Sequence, residues 1–189
     1  MIIGILGEGS ADKRVASTPE HIATLKALKA EKILVEAGAG TAASYPDADY
    51  TAKGAEITSR QQVISQSQIL IKIHALNDEE LAACKGKVLI GGFNPLSNTA
   101  FVKACQAAGV TAFSLDVIPR TTRAQAMDIL SSMATVAGYK AVLTAATHLP
   151  KFFPMFMTAA GTITPAKVVI LGAGVAGLQT IATLRRLGA

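Results

Sequence analysis

Tryptophan is absent from this chain, only 5% of its 189 residues are aromatic, and it holds just two cysteines and three histidines. Each scarcity removes a class of function. Cys84 and Cys105 stand outside any CxxC pattern and cannot staple a secreted fold, so reduced thiols in a cytoplasmic compartment are the expectation. His21, His74 and His148 have no metal-ligand spacing, so no metal site is expected. The net charge is +5, but the basic residues are scattered and no basic run carries interleaved aromatics, which argues against nucleic acid as a partner. No uninterrupted apolar run reaches the roughly 18–20 residues that span a bilayer. The N-terminal MIIGILGEGSADKR lacks the basic region and cleavage site of a signal peptide, so it reads as the first strand of a soluble chain.

What is present is a large apolar fraction, 50%, arranged in short runs that alternate with amphipathic stretches. That alternation is the pattern of an α/β layer architecture with a mostly parallel sheet. Strands are expected over 2–6, 33–36, 69–73, 88–91 and 111–114, giving a doubly wound N-terminal domain over residues 1–120. Thr18-Pro19-Glu20 suits a helix start, with Thr18 capping exposed amides and Ile22, Leu25 and Leu28 following at helical spacing. Another helix is expected over 98–108, stopping at Gly109.

Residues 121–165 read as a linking helix and connector. From Arg123 to His148, Met127, Leu130, Ala134, Ala137, Ala141 and Ala145 recur at three- and four-residue steps, and this small-residue face predicts a close neighbour. The proline-punctuated PKFFPMFMTAAGTITPAK that follows cannot be one regular element. Its Phe152, Phe153, Met155, Phe156 and Met157 are expected to pack between two domains.

Residues 166–189 carry a GxGxxG pattern, GAGVAG, after the apolar VVIL and before the amphipathic LQTIATLRRL. A strand over 167–171 and a helix from Gly177 to a glycine stop at Gly188 are predicted. Gly172 suits the tight turn, Gly174 the approach of a pyrophosphate, and Gly177 the packing of helix on strand. Gly172, Gly174, Val175, Ala176 and Gly177 are therefore the candidate cofactor-binding residues, facing phosphates with the free amides of a helix N-terminus. The bland alternative is an ordinary tight turn. The acidic residue that would read the ribose belongs about 20 residues past the glycines, beyond Ala189, so NAD and NADP are not distinguished here. The expectation is a chain that stops after the first βα unit of a Rossmann domain, as a piece of a longer one.

Upstream, PRTTRAQAMDILSSMATVAGY brings together Arg120, Gln125, Asp128, Ser131 and Ser132. On a helix beginning near Arg123, Gln125, Asp128 and Ser132 share one face, which could hydrogen-bond a carboxamide and a ribose. On chemistry alone a solvated polar face at a helix start is the more ordinary reading of the same residues.

RAQAMDILSS, AGYKAV and FPMFMTAAGTITPAKVVILGAGVAGLQTIATLRRLGA closely resemble the NAD(H)-binding domain at the start of the alpha subunit of the proton-translocating nicotinamide nucleotide transhydrogenases. KRVASTPE resembles that family's RVA-x-TPE element, and GAEI and LIKIHALN fall where it has comparable segments. The resemblance implies a module of two domains with NAD(H) in the cleft between them, and an N-terminal domain completed by helices from the far end of the module. It implies that Arg120, Asp128 and Ser131 hold the nicotinamide carboxamide while Gln125 reaches toward NADP(H) on a partner domain. It also implies a homodimer, NADP(H)-binding and transmembrane partners, and a place on the cytoplasmic side of the inner membrane, without direct insertion of this segment. Direct hydride transfer needs no side-chain acid or base, so the protein supplies distance and facing.

Alanine dehydrogenases share the overall plan, and an amino-acid oxidoreductase is the alternative. Their resemblance places a carboxylate-binding arginine at Arg14 and a lysine at Lys72. His74, however, stands where a second lysine is expected, and Asn94 where a proton-exchanging histidine belongs. Asparagine cannot exchange a proton near neutral pH. A non-catalytic interaction protein that kept the fold is the third possibility.

Overall fold

In the computed structural model, residues 1–10 and 12–189 are described, and the chain divides into two compact units, Met1–Thr121 and Thr122–Ala189. The first unit is built on six strands: β1 (Ile2–Ile5), β2 (Lys32–Glu36), β3 (Glu56–Thr58), β4 (Ile69–Ile71), β5 (Val88–Gly91) and β6 (Thr111–Ser114). All pair in parallel, in the order β3-β2-β1-β4-β5-β6. The helices between them are α1 (Ile22–Ala27), α2 (Asp47–Ala52), α3 (Arg60–Gln66), α4 (Asp78–Ala82) and α5 (Thr99–Ala108).

Successive residues of a strand point to opposite faces, so β2 feeds two cores. Leu34 joins Leu6, Val63, Leu70 and Leu89 on one side, while Ile33 and Val35 join Ile5, Ile22 and Tyr50 on the other. Both faces are covered, which is why these strands read as unbroken apolar runs, and the doubly wound α/β reading holds. β3 escapes a search for such runs because Glu56-Ile57-Thr58 holds one large apolar residue. α5 begins at the Asn98 cap and ends on Gly109, whose φ of +67° closes the helix. The Thr18 expectation needs correction. Its Oγ1 meets His21 Nδ1 at 2.9 Å, no amide is capped by its side chain, and Pro19–His21 forms a 3-10 turn ahead of α1.

The second unit holds α6 (Ile129–His148), the antiparallel hairpin β7 (Phe156–Thr158) and β8 (Gly161–Ile163), and α7 (Val175–Arg186). Its core is Val142, Phe153, Ala166 and Leu184, so Phe153 is buried while Phe152, Met155, Phe156 and Met157 are exposed. α7 packs on α6 along Gly138 and Val142, beside rather than on the predicted alanine stripe. By length and composition α6 is apolar enough to cross a membrane, although hydroxyls and Lys140 interrupt its apolar runs.

The strand expected over 167–171 is not formed. Among the described residues no neighbouring strand offers these backbone groups a ladder, and Val168, Val169 and Leu171 are exposed. The following helix starts at Val175, two residues before the predicted Gly177, because Gly174 serves as its N-cap.

Candidate functional site

The fingerprint forms an open glycine turn ahead of α7. Gly172 takes φ +111°, where a side chain would strain the backbone, and turns the chain toward α7. A Cβ placed on Gly174 would meet nothing within 4 Å, so this N-cap is open for close approach. The first-turn amides of a helix have no acceptor within it, and no side chain caps those of α7. No acidic residue occupies that first turn, and Arg185 and Arg186 sit at the opposite, negative end. Gly177 has a different reason from the one predicted. Its Cβ would lie 2.1 Å from Gly172 O, whereas Ile170 Cγ2 on the approaching chain stands at an ordinary 3.6 Å. The third glycine lets the turn close on itself.

The polar segment upstream folds differently from the single helix expected. Thr122–Met127 is a 3-10 turn, Asp128 is the N-cap, and α6 starts at Ile129. Gln125, Asp128 and Ser132 therefore do not share one α-helical face. The cause is local: the Asp128 carboxylate accepts the Ser131 amide at 2.9 Å and the Ser131 hydroxyl at 2.7 Å, which ends the preceding turn and begins the helix. Ser132 Oγ donates to Asp128 O at 3.1 Å. Asp128 and Ser131 are thus brought together, and Gln125 is exposed on the 3-10 turn. Arg120 is exposed in the first unit.

The first unit carries a polar cluster of its own. The strand order reverses between β1 and β4, and in open α/β sheets the crevice beyond the carboxyl ends at such a point is the usual ligand position. There Glu8 accepts Lys72 Nζ at 2.7 Å, the Ile73 amide at 2.6 Å and the His74 amide at 3.1 Å. Arg14 grips Asp12 through Nε and Nη2, and His74 Nε2 reaches the same carboxylate at 2.9 Å. The Arg14 hydrogen bonds hold Asp12 well below the usual carboxylate range, and Asp12 in turn raises Arg14. Beside them Arg60 binds Glu36 at 2.7 Å, Gly7 O at 3.1 Å and Glu80. Burial pushes Glu80 up, but its bond to Arg60 and that charge outweigh burial and leave it lowered. Asn94, in the loop after β5, takes φ +49° and donates its amide to Asp116 at 2.9 Å.

Sequence reasoning named Arg14, Lys72, His74 and Asn94 but missed Glu8, Asp12 and the Arg60 network. Acidic residues directly after a first strand were the available signal. Only the strand order gives them meaning, by putting the end of β1 beside that of β4. Cys84 and Cys105 are buried free thiols, with burial raising both. No metal-holding group of side chains occurs among the described residues.

Residues 4–137 match the family described as alanine dehydrogenase/PNT, N-terminal domain, and residues 141–189 match its C-terminal domain. The chain belongs to the alanine dehydrogenase/PNT family. Within that family it is 43% identical over 185 residues to the first part of NAD(P) transhydrogenase subunit alpha from Rhodospirillum rubrum, covering 94% of this chain and 48% of that protein. The crystal structure of transhydrogenase from Sinorhizobium meliloti superposes with a TM-score of 0.95 at 41% identity, over 100% of this chain and 57% of that one. An L-alanine dehydrogenase structure shares the fold, at a TM-score of 0.84 and 23% identity, over 100% of this chain and 53% of that one. The chain thus spans about half the length of the family members it matches.

Proposed function

We propose that this chain is the NAD(H)-binding component of a transhydrogenase that passes hydride directly between NADH and NADP+, coupled to proton translocation by membrane partners. The observation that carries the reading is the cradle at the N-terminus of α7: an open Gly174 and uncapped first-turn amides behind a glycine at φ +111°. These groups fit a dinucleotide pyrophosphate, with Gly172, Gly174, Val175, Ala176 and Gly177 holding it. NADH, when bound, supplies the hydride.

The chain's own part is to bind and orient. The Asp128 carboxylate holds Ser131 through its amide and its hydroxyl, and Ser131 Oγ, donating its proton to Asp128, keeps its lone pairs for a ligand. That pair suits the donor side of a carboxamide, and the guanidinium of Arg120 suits its carbonyl. Gln125 is assigned to the NADP(H) side. The domain reading of 1–120, 121–165 and 166–189 belongs to the same proposal, as do a homodimer and NADP(H)-binding and transmembrane partners. This places the chain on the cytoplasmic side of the inner membrane without itself inserting, and leaves it inactive alone.

The alanine dehydrogenase alternative is disfavoured by the first unit. Arg14 and Lys72, the cations a substrate carboxylate would need, are each engaged by a carboxylate of the chain, and Asn94 cannot relay a proton. Titration with NADH followed by fluorescence, then hydride transfer from NADH to thio-NADP+ with an NADP(H)-binding partner added, tests the proposal. Absence of binding at millimolar NADH would overturn it and favour a non-catalytic interaction protein. Alanine-dependent reduction of NAD+ would replace it with the amino-acid oxidoreductase.

A further inference from the structure

α6 and α7 meet at a point where α6 has no room for a side chain. A Cβ on Gly138 would lie 2.3 Å from the carbonyl oxygen of Ala176. Gly138 is buried in the middle of α6, and its backbone does not take a positive φ. Glycine there costs stability relative to alanine, so its use is the close approach itself. The residue it approaches is a fingerprint residue in the first turn of α7. One turn further on, Thr180 Oγ1 lies 3.2 Å from Gly138 O and 2.8 Å from Ala176 O, so a single hydroxyl joins the two helices at the crossing.

We propose that Gly138 and Thr180 are positioning residues for the dinucleotide. They fix the first turn of α7, and with it the amides of Val175, Ala176 and Gly177, against the helix whose N-cap holds the Asp128–Ser131 pair. This rests on the NAD(H) reading of the fingerprint. Gly138 stands ten residues along from Asp128, about 15 Å of helical rise, so one stiff rod links the groups assigned to the carboxamide with those assigned to the pyrophosphate. Displacing the first turn of α7 would spoil the aim of the amides without removing any of them. Reactions that depend on facing and distance tolerate little such misplacement.

The test compares Gly138→Ala, Thr180→Val and the conservative Thr180→Ser with the unaltered chain, by NADH affinity, thermal midpoint and backbone amide NMR shifts without ligand. Gly138→Ala and Thr180→Val are expected to weaken NADH binding about tenfold and to move the amide signals of residues 174–177. Thr180→Ser, which keeps the hydroxyl, is expected to match the unaltered chain. The thermal midpoint of Thr180→Val should stay close to that of Thr180→Ser, which a purely structural role would not allow alongside a tenfold change in affinity. If Gly138→Ala does not fold, the Thr180 pair carries the comparison. Unchanged NADH affinity and unmoved first-turn amides in Thr180→Val would overturn the proposal. Failure of the unaltered chain to bind NADH would instead overturn the reading on which it rests.

Discussion

Glu8 and Lys72 form an ion pair of 2.7 Å in which the carboxylate side chain is wholly out of solvent and the ammonium side chain is 7% exposed. Glu8 also takes the amides of Ile73 and His74, so one carboxylate gathers the end of β4 to the segment that leaves β1. A buried pair of this kind is costly to break from one side, because the remaining charge is left uncompensated. Lys72→Met is expected to cost about 3–5 kcal/mol. Glu8→Gln combined with Lys72→Met should cost less than the two single changes summed, since no isolated charge remains. Urea unfolding followed by circular dichroism measures all three, and strict additivity would contradict the coupling.

Asp12 supplies a pH dependence with a definite sign. Its Arg14 hydrogen bonds place its folded-state pKa well below the ordinary 3.8. The unfolded chain therefore binds the proton first as pH falls, so the stabilisation present above 3.8 is lost progressively below it. Glu80, lowered by Arg60 against its burial, acts in the same direction. Stability measured between about pH 5 and pH 2 should fall more gently in Asp12→Asn than in the unaltered chain. Parallel curves would show that the Arg14–Asp12 pair has no part in acid unfolding.

Ser67 presents the opposite case. Its hydroxyl is buried without a hydrogen-bond partner among the described residues. Removing an unsatisfied buried polar group relieves a desolvation penalty, so Ser67→Ala should be neutral or stabilising, by up to about 1 kcal/mol. A loss of more than that in the thermal midpoint or the urea midpoint would mean that the hydroxyl has a role the packing does not reveal.

The close contact of Gly177 with Gly172 O gives a prediction about binding. Gly177→Ala must push the turn open and should cost about 1–3 kcal/mol, with NADH affinity reduced at least about tenfold. Gly174→Ala meets no neighbour in the free protein, so its stability should be close to unaltered while NADH binding falls. Thermal unfolding and NADH titration on the two variants separate the effects. Equal losses of stability would contradict the distinct geometry of the two glycines.

The sequence by itself determined the parts governed by local chemistry. The apolar runs at β1, β2, β4 and β5 are buried strands because both faces of the sheet are covered, and Asn98 and Gly109 bound α5 because capping is a short-range matter. The fingerprint and the cations Arg14 and Lys72 were equally legible. Tertiary structure alone decided what these groups meet. Residues 167–171 stayed out of any ladder among the described residues because a strand needs a neighbour that periodicity cannot supply. The pairing of Glu8 with Lys72, and of Gly138 with Ala176, depends on strand order and helix crossing. Such contacts join residues far apart in the chain through packing, and no local pattern of residue types encodes which distant partner will arrive.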